Sequence, residues 1–85
     1  MASGKTLNPM RVVVAKVDEN LFDGEADSLT APGQGGEMTV LHGHMPLVTT
    51  LKAGTITVRV GTQEKTFPVT SGVMEVRHDG ATVIL

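Results

Sequence analysis

Turn-forming residues divide this chain into short segments, and their spacing is the feature that most limits its possible folds. Gly61-Thr62, Ser71-Gly72 and Asp79-Gly80 follow one another at intervals of roughly 8–12 residues, as in a sandwich or barrel of short strands. The segments between them are rich in valine, isoleucine and threonine, which favour strands. No segment shows a sustained helical period, so the sequence predicts an all-β fold.

The clearest predicted strand spans residues 55–60. Its residues Ile56, Val58 and Val60 alternate with polar ones, which places the three apolar side chains on one face. Further strands are predicted at residues 10–17, 25–31, 37–41, 46–51, 65–70, 73–77 and 81–85, with a short one beginning at Leu21-Phe22. The loop with the strongest signal is residues 32–36, because the glycines of PGQGG tolerate φ > 0.

The size and composition of the chain indicate one small domain. With 85 residues, two phenylalanines and no tryptophan or tyrosine, it must build its core from aliphatic side chains. Residues 1–9 are interpreted as a loose N-terminal leader and residues 10–85 as the domain. A net charge of −2 without a Lys/Arg cluster argues against nucleic-acid binding. No apolar run approaches the roughly 20 residues that span a bilayer, so direct bilayer insertion is not expected.

Two of the three histidines, His42 and His44, lie two residues apart and suggest a metal site. In an extended segment both rings would point the same way. A zinc site needs at least three protein ligands, however, and His78 lies in a separate turn. A structural or interface role is therefore the default interpretation, and no metal or other cofactor is assigned. A small metalloprotein stays as an alternative.

Two further motifs match known ion or phosphate sites only in part. Residues 23–27 alternate carboxylates as the start of a calcium loop does, but Ser28 and Gln34 occupy the positions that require glycine and glutamate. The glycine-rich residues 32–36 lack the lysine of a phosphate-binding loop, since Glu37 stands in its place. The sequence therefore favours a solvated strand face in the first case and a turn in the second.

Serine and lysine chemistry have no firm motif either. Ser71 lies in a turn outside any G-x-S-x-G motif, so no catalytic residue is assigned. Lys52 lies at a turn of a small all-β domain, as does the modified lysine of lipoyl and biotinyl carrier domains. Those domains place Asp or Met directly before the lysine, and here the residue is Leu51. The chain is interpreted as a binding module, and a carrier domain stays as a second alternative.

Four segments, in order, resemble one known family. Residues 41–54 read LHGHMPLVTTLKAG and resemble the L-P-G-H-x-P-L-[LV]-T-x-L-K-P-G segment of the epsilon subunit of F-type ATP synthases. Upstream, LFDGEADSL at residues 21–29 is similar to the family's V-F-E-G-E-A-D-S-V, and PGQGGE at residues 32–37 to its P-G-x-x-G-E turn. Downstream, SGVMEV at residues 71–76 is similar to S-G-G-x-[LV]-E-V.

The resemblance implies a single-domain, ten-stranded β-sandwich in the central stalk of the proton-translocating complex. Such a domain is a non-catalytic rotor subunit that links the gamma subunit to the c-ring and couples ATP synthesis to ion flow. Most family members continue with a helical hairpin that regulates rotation and in some members binds ATP. Because this sequence ends at Leu85, neither an inhibitory helical domain nor nucleotide binding is expected of it.

The resemblance also assigns two interfaces. The family's gamma-facing surface falls on His44 and Thr49, whereas His42 replaces the usual proline and is assigned no role. The c-ring-facing edge falls on Gly33, Gln34, Gly35, Gly36, Glu37 and Met38. In this edge Glu37 is the prominent charge, suited to pairing with an Arg or Gln in a loop of the ring. The expected location is peripheral, on the cytoplasmic face of the bacterial inner membrane, because no transit peptide is recognisable.

Overall fold

The computed structural model describes residues 9–85, which form nine β-strands. The strands are β1 (Met10–Lys16), β2 (Glu19–Ala26), β3 (Ser28–Gly33), β4 (Gly36–Val40), β5 (Leu47–Leu51), β6 (Gly54–Val60), β7 (Gln63–Val69), β8 (Gly72–Arg77) and β9 (Gly80–Ile84). The described residues include no helix that is long and apolar enough to cross a membrane. Residues 1–8 of the predicted leader lie outside the described part of the chain.

The all-β prediction is confirmed, but the described residues form nine strands instead of ten. The longest stretch between strands is residues 41–46, which connects β4 to β5. Gly43 adopts a φ of 87° there, which breaks the extended conformation. Pro46 has no amide hydrogen to give to a strand partner. These two residues leave the segment as a corner without strand pairing.

Hydrogen bonding joins the strands into one strongly curled sheet. Its order is β2-β1-β9-β8-β5-β3-β6-β7, and β4 pairs with β3 beside this path. Strands β1 and β9 run parallel, and the other pairs in the described chain are antiparallel. The sheet curls far enough that β2 lies against β6, although they are distant in the bonding order. Curling buries one face between two layers, which is the β-sandwich predicted from the sequence.

Alternating apolar residues supply the core. In β6 the predicted inward face is confirmed, because Ile56 and Val58 are fully buried and Val60 is partly buried. The complete set of buried hydrophobic residues is Met10, Val12, Val14, Ala26, Leu29, Ala31, Val40, Leu51, Ile56, Val58, Val69, Met74, Val76, Ala81 and Val83. In the described residues no polar or charged side chain belongs to this core. The core is therefore aliphatic, as the composition requires.

Two local predictions need correction. The predicted strand at residues 25–31 is divided at Asp27, because β2 runs continuously from Glu19 to Ala26 and β3 begins at Ser28. Pairing with β1 carries β2 through Asp23 and Gly24, and the Arg11 guanidinium pairs with the Asp23 carboxylate across the two strands at 2.5 Å. The predicted loop at residues 32–36 shortens to the turn Gln34-Gly35, since β3 and β4 pair up to its edges.

Asp27 occupies the bend between β2 and β3 and ties it to the β6–β7 turn. Its Oδ2 accepts a hydrogen bond from the Gly61 N–H at 2.8 Å. Its own N–H donates to the Arg59 carbonyl oxygen, also at 2.8 Å. Gly61 has a φ of 61°, a conformation suited to glycine. The carboxylate that resembled a calcium ligand is thus a cross-link between two turns.

We expect Asp27→Ala to lower the free energy of unfolding by about 1 kcal/mol, because the Gly61 N–H loses its acceptor. Asp27→Asn keeps an acceptor oxygen at the same position, so its loss of stability should be less than half as large. Urea titrations of the two variants and the parent chain measure the difference. Equal destabilisation by Ala and Asn would show that the charge of Asp27, and not its hydrogen bond, stabilises the bend.

Candidate docking surface

The corner at residues 41–46 is held in place by backbone hydrogen bonds. The Gly43 N–H donates to the His78 carbonyl oxygen at 2.8 Å, which joins the corner to the β8–β9 turn. The His44 N–H donates to the Leu41 carbonyl oxygen at 3.1 Å. The rings of His42 and His78 meet edge to face, with centroids 5.5 Å apart and an interplanar angle of 69°. The corner therefore contacts His78 twice, through the Gly43 N–H and through the His42 ring.

His44 itself makes a hydrogen bond that fixes its tautomer. Its Nδ1 lies 2.7 Å from the Met45 carbonyl oxygen. A carbonyl oxygen can only accept a hydrogen bond, so Nδ1 must carry the proton. In the neutral ring Nε2 is then the acceptor nitrogen, able to take a hydrogen bond from a donor on a partner surface.

The structure does not have the extended segment on which the alternative of a metal site at His42 and His44 depended. The prediction that His42 and His44 point the same way assumed an extended strand, and Gly43 with its positive φ removes that strand. Across residues 9–85 no three His, Asp or Glu side chains gather in a group that could hold a metal ion. His42 instead contacts His78.

The other chemical motifs lie apart from this corner. Ser71 lines an open groove of about 440 Å³ together with Lys16, Asp18 and Leu85. No histidine of the described chain lines that groove, so a Ser–His pair is not assembled there. Lys52 lies exposed after β5, where its N–H donates to the Pro32 carbonyl oxygen at 2.9 Å.

Thr49 is less accessible than the sequence suggested. It lies on the inward-facing side of β5, opposite the fully buried Met74 of β8, and is partly buried. Its hydroxyl donates to the Thr50 carbonyl oxygen at 3.1 Å. The neighbouring residue Val48 points the other way and is 70% exposed. Val48 therefore presents more surface to a partner than Thr49 does.

An exposed apolar face on β5, β8 and β9 was missed at the sequence level. Val73 of β8 lies directly opposite Ile84 of β9, and both are more than 40% exposed. Val48 lies diagonally from Val73 on the same outer side, because it pairs with Glu75, two residues further along β8. The alternation of residues within β5 could have predicted this face. Because Leu47 and Leu51 face inward, Val48 must face outward. We call Val48, Val73 and Ile84 the outer apolar face.

The tip of the β3–β4 hairpin, residues 33–38, contains all six residues assigned to the second interface, and we call it the β3–β4 turn. Gln34, Gly35 and Glu37 are exposed, and the Glu37 carboxylate forms no ion pair with other described residues. Gly36 adopts a φ of 132°, which the tight turn requires. Gly33 is buried, and Met38 packs against the core. The turn thus presents one carboxylate and one amide on a tip with little apolar surface.

Comparison with known proteins identifies the family of this chain. The family model described as ATP synthase, Delta/Epsilon chain, beta-sandwich domain matches residues 9–85. An ATP synthase epsilon chain of Herminiimonas arsenicoxydans is 39% identical over 77 residues, covering 88% of this chain and 55% of that protein. Another, from Caulobacter vibrioides, is 39% identical over 67 residues, covering 79% of this chain and 78% of its own length. The chain spans about half the length of most curated relatives it matches.

Solved structures share the fold at lower identity. A chain of the Euglena gracilis mitochondrial ATP synthase, solved as OSCP/F1/c-ring, superposes with a TM-score of 0.84 at 21% identity, over 99% of this chain and 54% of that one. A chain of the central stalk/c-ring assembly of Tetrahymena thermophila mitochondrial ATP synthase gives 0.74 at 15% identity, over 94% and 64%. The match of the family model across the whole described sandwich shows that the chain belongs to the ATP synthase delta/epsilon chain family, of which it carries the β-sandwich domain.

Proposed function

We propose that this chain is a non-catalytic subunit of the central rotor stalk of an F-type ATP synthase, and that it joins the gamma subunit to the c-ring. The observation that carries the proposal is the family match over residues 9–85, with relatives named ATP synthase epsilon chain. The similar fold in assemblies described as c-ring and central stalk supports it. In this role the domain couples ATP synthesis to ion flow by holding two partners together, without making or breaking a bond.

The physical properties of the sandwich suit this task. A rotor joint must pass torque between its partners without slipping, which requires a stiff body. A curled sheet with a closely packed aliphatic core resists shear, because its strands are cross-bonded and its interior leaves little free volume. The absence of polar groups from the core of the described residues removes competing hydrogen-bonded arrangements there.

The surface proposed for the gamma subunit runs from His44 along the outer apolar face, and Thr49, which lies on the opposite side of β5, contributes only its partly exposed edge. Met45, beside His44, is 78% exposed and extends the apolar surface toward the corner. Apolar groups exposed to this extent are candidates for burial in a protein interface. The Nε2 atom of His44 adds one directional acceptor at its edge. Apolar area would supply affinity here, and the histidine would supply orientation.

The surface proposed for the c-ring is the β3–β4 turn, from Gly33 to Met38. Its exposed groups are polar, so it suits the polar loops of a membrane-embedded ring better than the bilayer itself. Glu37 offers a carboxylate to an Arg or Gln of such a loop, and a pair at the rim of an interface favours correct docking more than affinity. The proposed location is accordingly peripheral, on the cytoplasmic face of a bacterial inner membrane, which the bacterial relatives support.

Binding to the isolated gamma subunit tests the proposal. We expect the chain to bind purified gamma, and Val48→Asp to weaken binding by about tenfold or more, because a charge is then buried in an apolar contact. Thr66→Asp is the matched control: it adds the same charge to an exposed position on β7, an edge strand three places from β5 in the sheet order. Calorimetric titration of gamma with the three proteins gives the affinities.

Two results would contradict this assignment. Equal weakening by Val48→Asp and Thr66→Asp would show that charge, and not the outer apolar face, governs binding to gamma. No binding of the parent chain to either gamma or the c-ring would remove the rotor proposal itself. Circular dichroism of each variant separates lost folding from lost binding.

A further inference from the structure

We propose that β5 is a rigid link that positions the β3–β4 turn relative to the His44 corner, and that Gly54 is the positioning residue that lets the turn seat against it. This inference rests on the proposed function, because it assigns the His44 corner and the β3–β4 turn, which adjoin opposite ends of β5, to different partners of the rotor subunit. It adds a mechanical connection between surfaces that the sequence places in separate motifs.

The placement of the two surfaces along one strand is the first observation. His44 lies three residues before β5 begins at Leu47. At the other end of the strand, Leu51 pairs with Gly33, the first residue of the proposed ring-facing turn. Five residues of antiparallel strand span about 17 Å. One strand therefore runs from the His44 corner to the proposed ring-facing turn, with no intervening loop between Leu47 and Leu51.

Backbone hydrogen bonds fasten the turn to the end of this strand. The Gln34 N–H donates to the Thr50 carbonyl oxygen at 3.1 Å. The Lys52 N–H donates to the Pro32 carbonyl oxygen at 2.9 Å. A hairpin tip is ordinarily held only by its own two strands, whereas this one is also bonded from the side. The turn consequently cannot swing away from β5 without breaking both hydrogen bonds.

Gly54 allows the start of β6 to lie close to Pro32 at the end of β3. A Cβ at Gly54 would lie 3.0 Å from both Cβ and Cγ of Pro32, closer than ordinary van der Waals contact. Gly54 does not have a positive φ, so its backbone conformation is open to other residues. Alanine at this position would therefore act mainly as a wedge between the start of β6 and the Pro32 ring. It alters no residue of either proposed interface.

The substitution Gly54→Ala should change amide hydrogen exchange near the β3–β4 turn. In Gly54→Ala we expect amide hydrogen exchange at Gln34 and Lys52 to speed up by about tenfold, because both donors lose their close contact with the opposite segment. The Gly43 amide, bonded to His78 at the other end of β5, should keep its protection. Gly24→Ala is the control, since its Cβ meets only the Phe22 ring at 3.8 Å and lies in neither interface.

Partner binding then tests the role of the link. For Gly54→Ala we expect affinity for the detergent-solubilised c-ring to fall about tenfold, because a loosened turn must be reordered on docking. Affinity for purified gamma should stay within about twofold of the parent chain, since a Cβ at Gly54 meets Pro32 and neither His44 nor the outer apolar face. Gly24→Ala should match the parent chain in both titrations.

The outcomes separate this inference from the function on which it rests. Unchanged ring affinity in Gly54→Ala, while the parent chain binds the ring, would overturn the link and leave the rotor role intact. Unchanged exchange at Gln34 and Lys52 would also overturn it, because the wedge would not have moved the turn. Failure of the parent chain itself to bind the c-ring would overturn the ring assignment and the link together.

Discussion

Replacing Gly80 by alanine should lower the free energy of unfolding by about 3 kcal/mol or more. A Cβ at Gly80 would lie 2.2 Å from the Arg11 carbonyl oxygen and 3.1 Å from the Arg11 carbonyl carbon. Both are backbone atoms, so no side-chain rotation can relieve the clash. The two residues are partners in the parallel pairing of β1 with β9, which must shift apart. Urea unfolding measures the loss, and the melting temperature should fall by about 12 °C or more.

Gly35→Ala is the control for this prediction. A Cβ there meets nothing within 4 Å, and the residue does not have a positive φ. We expect its free energy of unfolding to stay within about 0.5 kcal/mol of the parent chain. Comparable destabilisation by both substitutions would mean that lost glycine flexibility, and not the close approach of β9 to β1, limits position 80.

Met74→Ala is expected to be the second most damaging change, at about 3 kcal/mol. The Met74 side chain is fully buried near the middle of β8, opposite Val83 of β9 on one side and Thr49 of β5 on the other. Truncation to alanine leaves a cavity that the cross-bonded strands cannot close by moving. Urea unfolding again gives the magnitude.

Val73→Ala is the matched control, since Val73 is the preceding residue of the same strand and faces outward. It is 42% exposed, so it loses less buried area, and we expect a cost below about 1 kcal/mol. A Val73→Ala variant as unstable as Met74→Ala would show that β8 depends on strand propensity more than on core packing.

The fold was largely predictable from the sequence because strand signals here are local. Alternation in β6 gave the correct inward face, and the turn after β6 lies at Gly61-Thr62 as predicted. The turn after β8 lies at His78-Asp79, one residue before the predicted Asp79-Gly80. The errors occur where pairing overrides local preference. The β1 strand carries β2 through Gly24, and β4 extends its pairing with β3 down to Gly36, which leaves a turn of two residues in place of the predicted loop. A glycine can lie in a strand as well as in a turn, and pairing with a neighbouring strand determines which of the two it adopts.

The candidate surfaces were predictable only in part. The motif assigns His44 and the β3–β4 turn to two interfaces, which stays a prediction, and it could not show that Thr49 faces inward or that Val48 faces outward. That distinction depends on the register between β5 and β8, which is a long-range property. The contact of His42 with His78 could not be predicted either. The two residues are far apart in sequence and come together only because the corner at residues 41–46 folds against the β8–β9 turn.

Co-purification tests the central claim, membership of the rotor stalk, most directly. The chain is tagged in the organism that produces it, and membranes are solubilised in mild detergent before affinity capture. The rotor assignment predicts that gamma and the c-ring are recovered together with the tagged chain, as judged by mass spectrometry. Recovery of the chain without either partner would contradict the assignment. In that event an added mass on Lys52 would favour a carrier domain, and a bound metal ion would favour a metalloprotein.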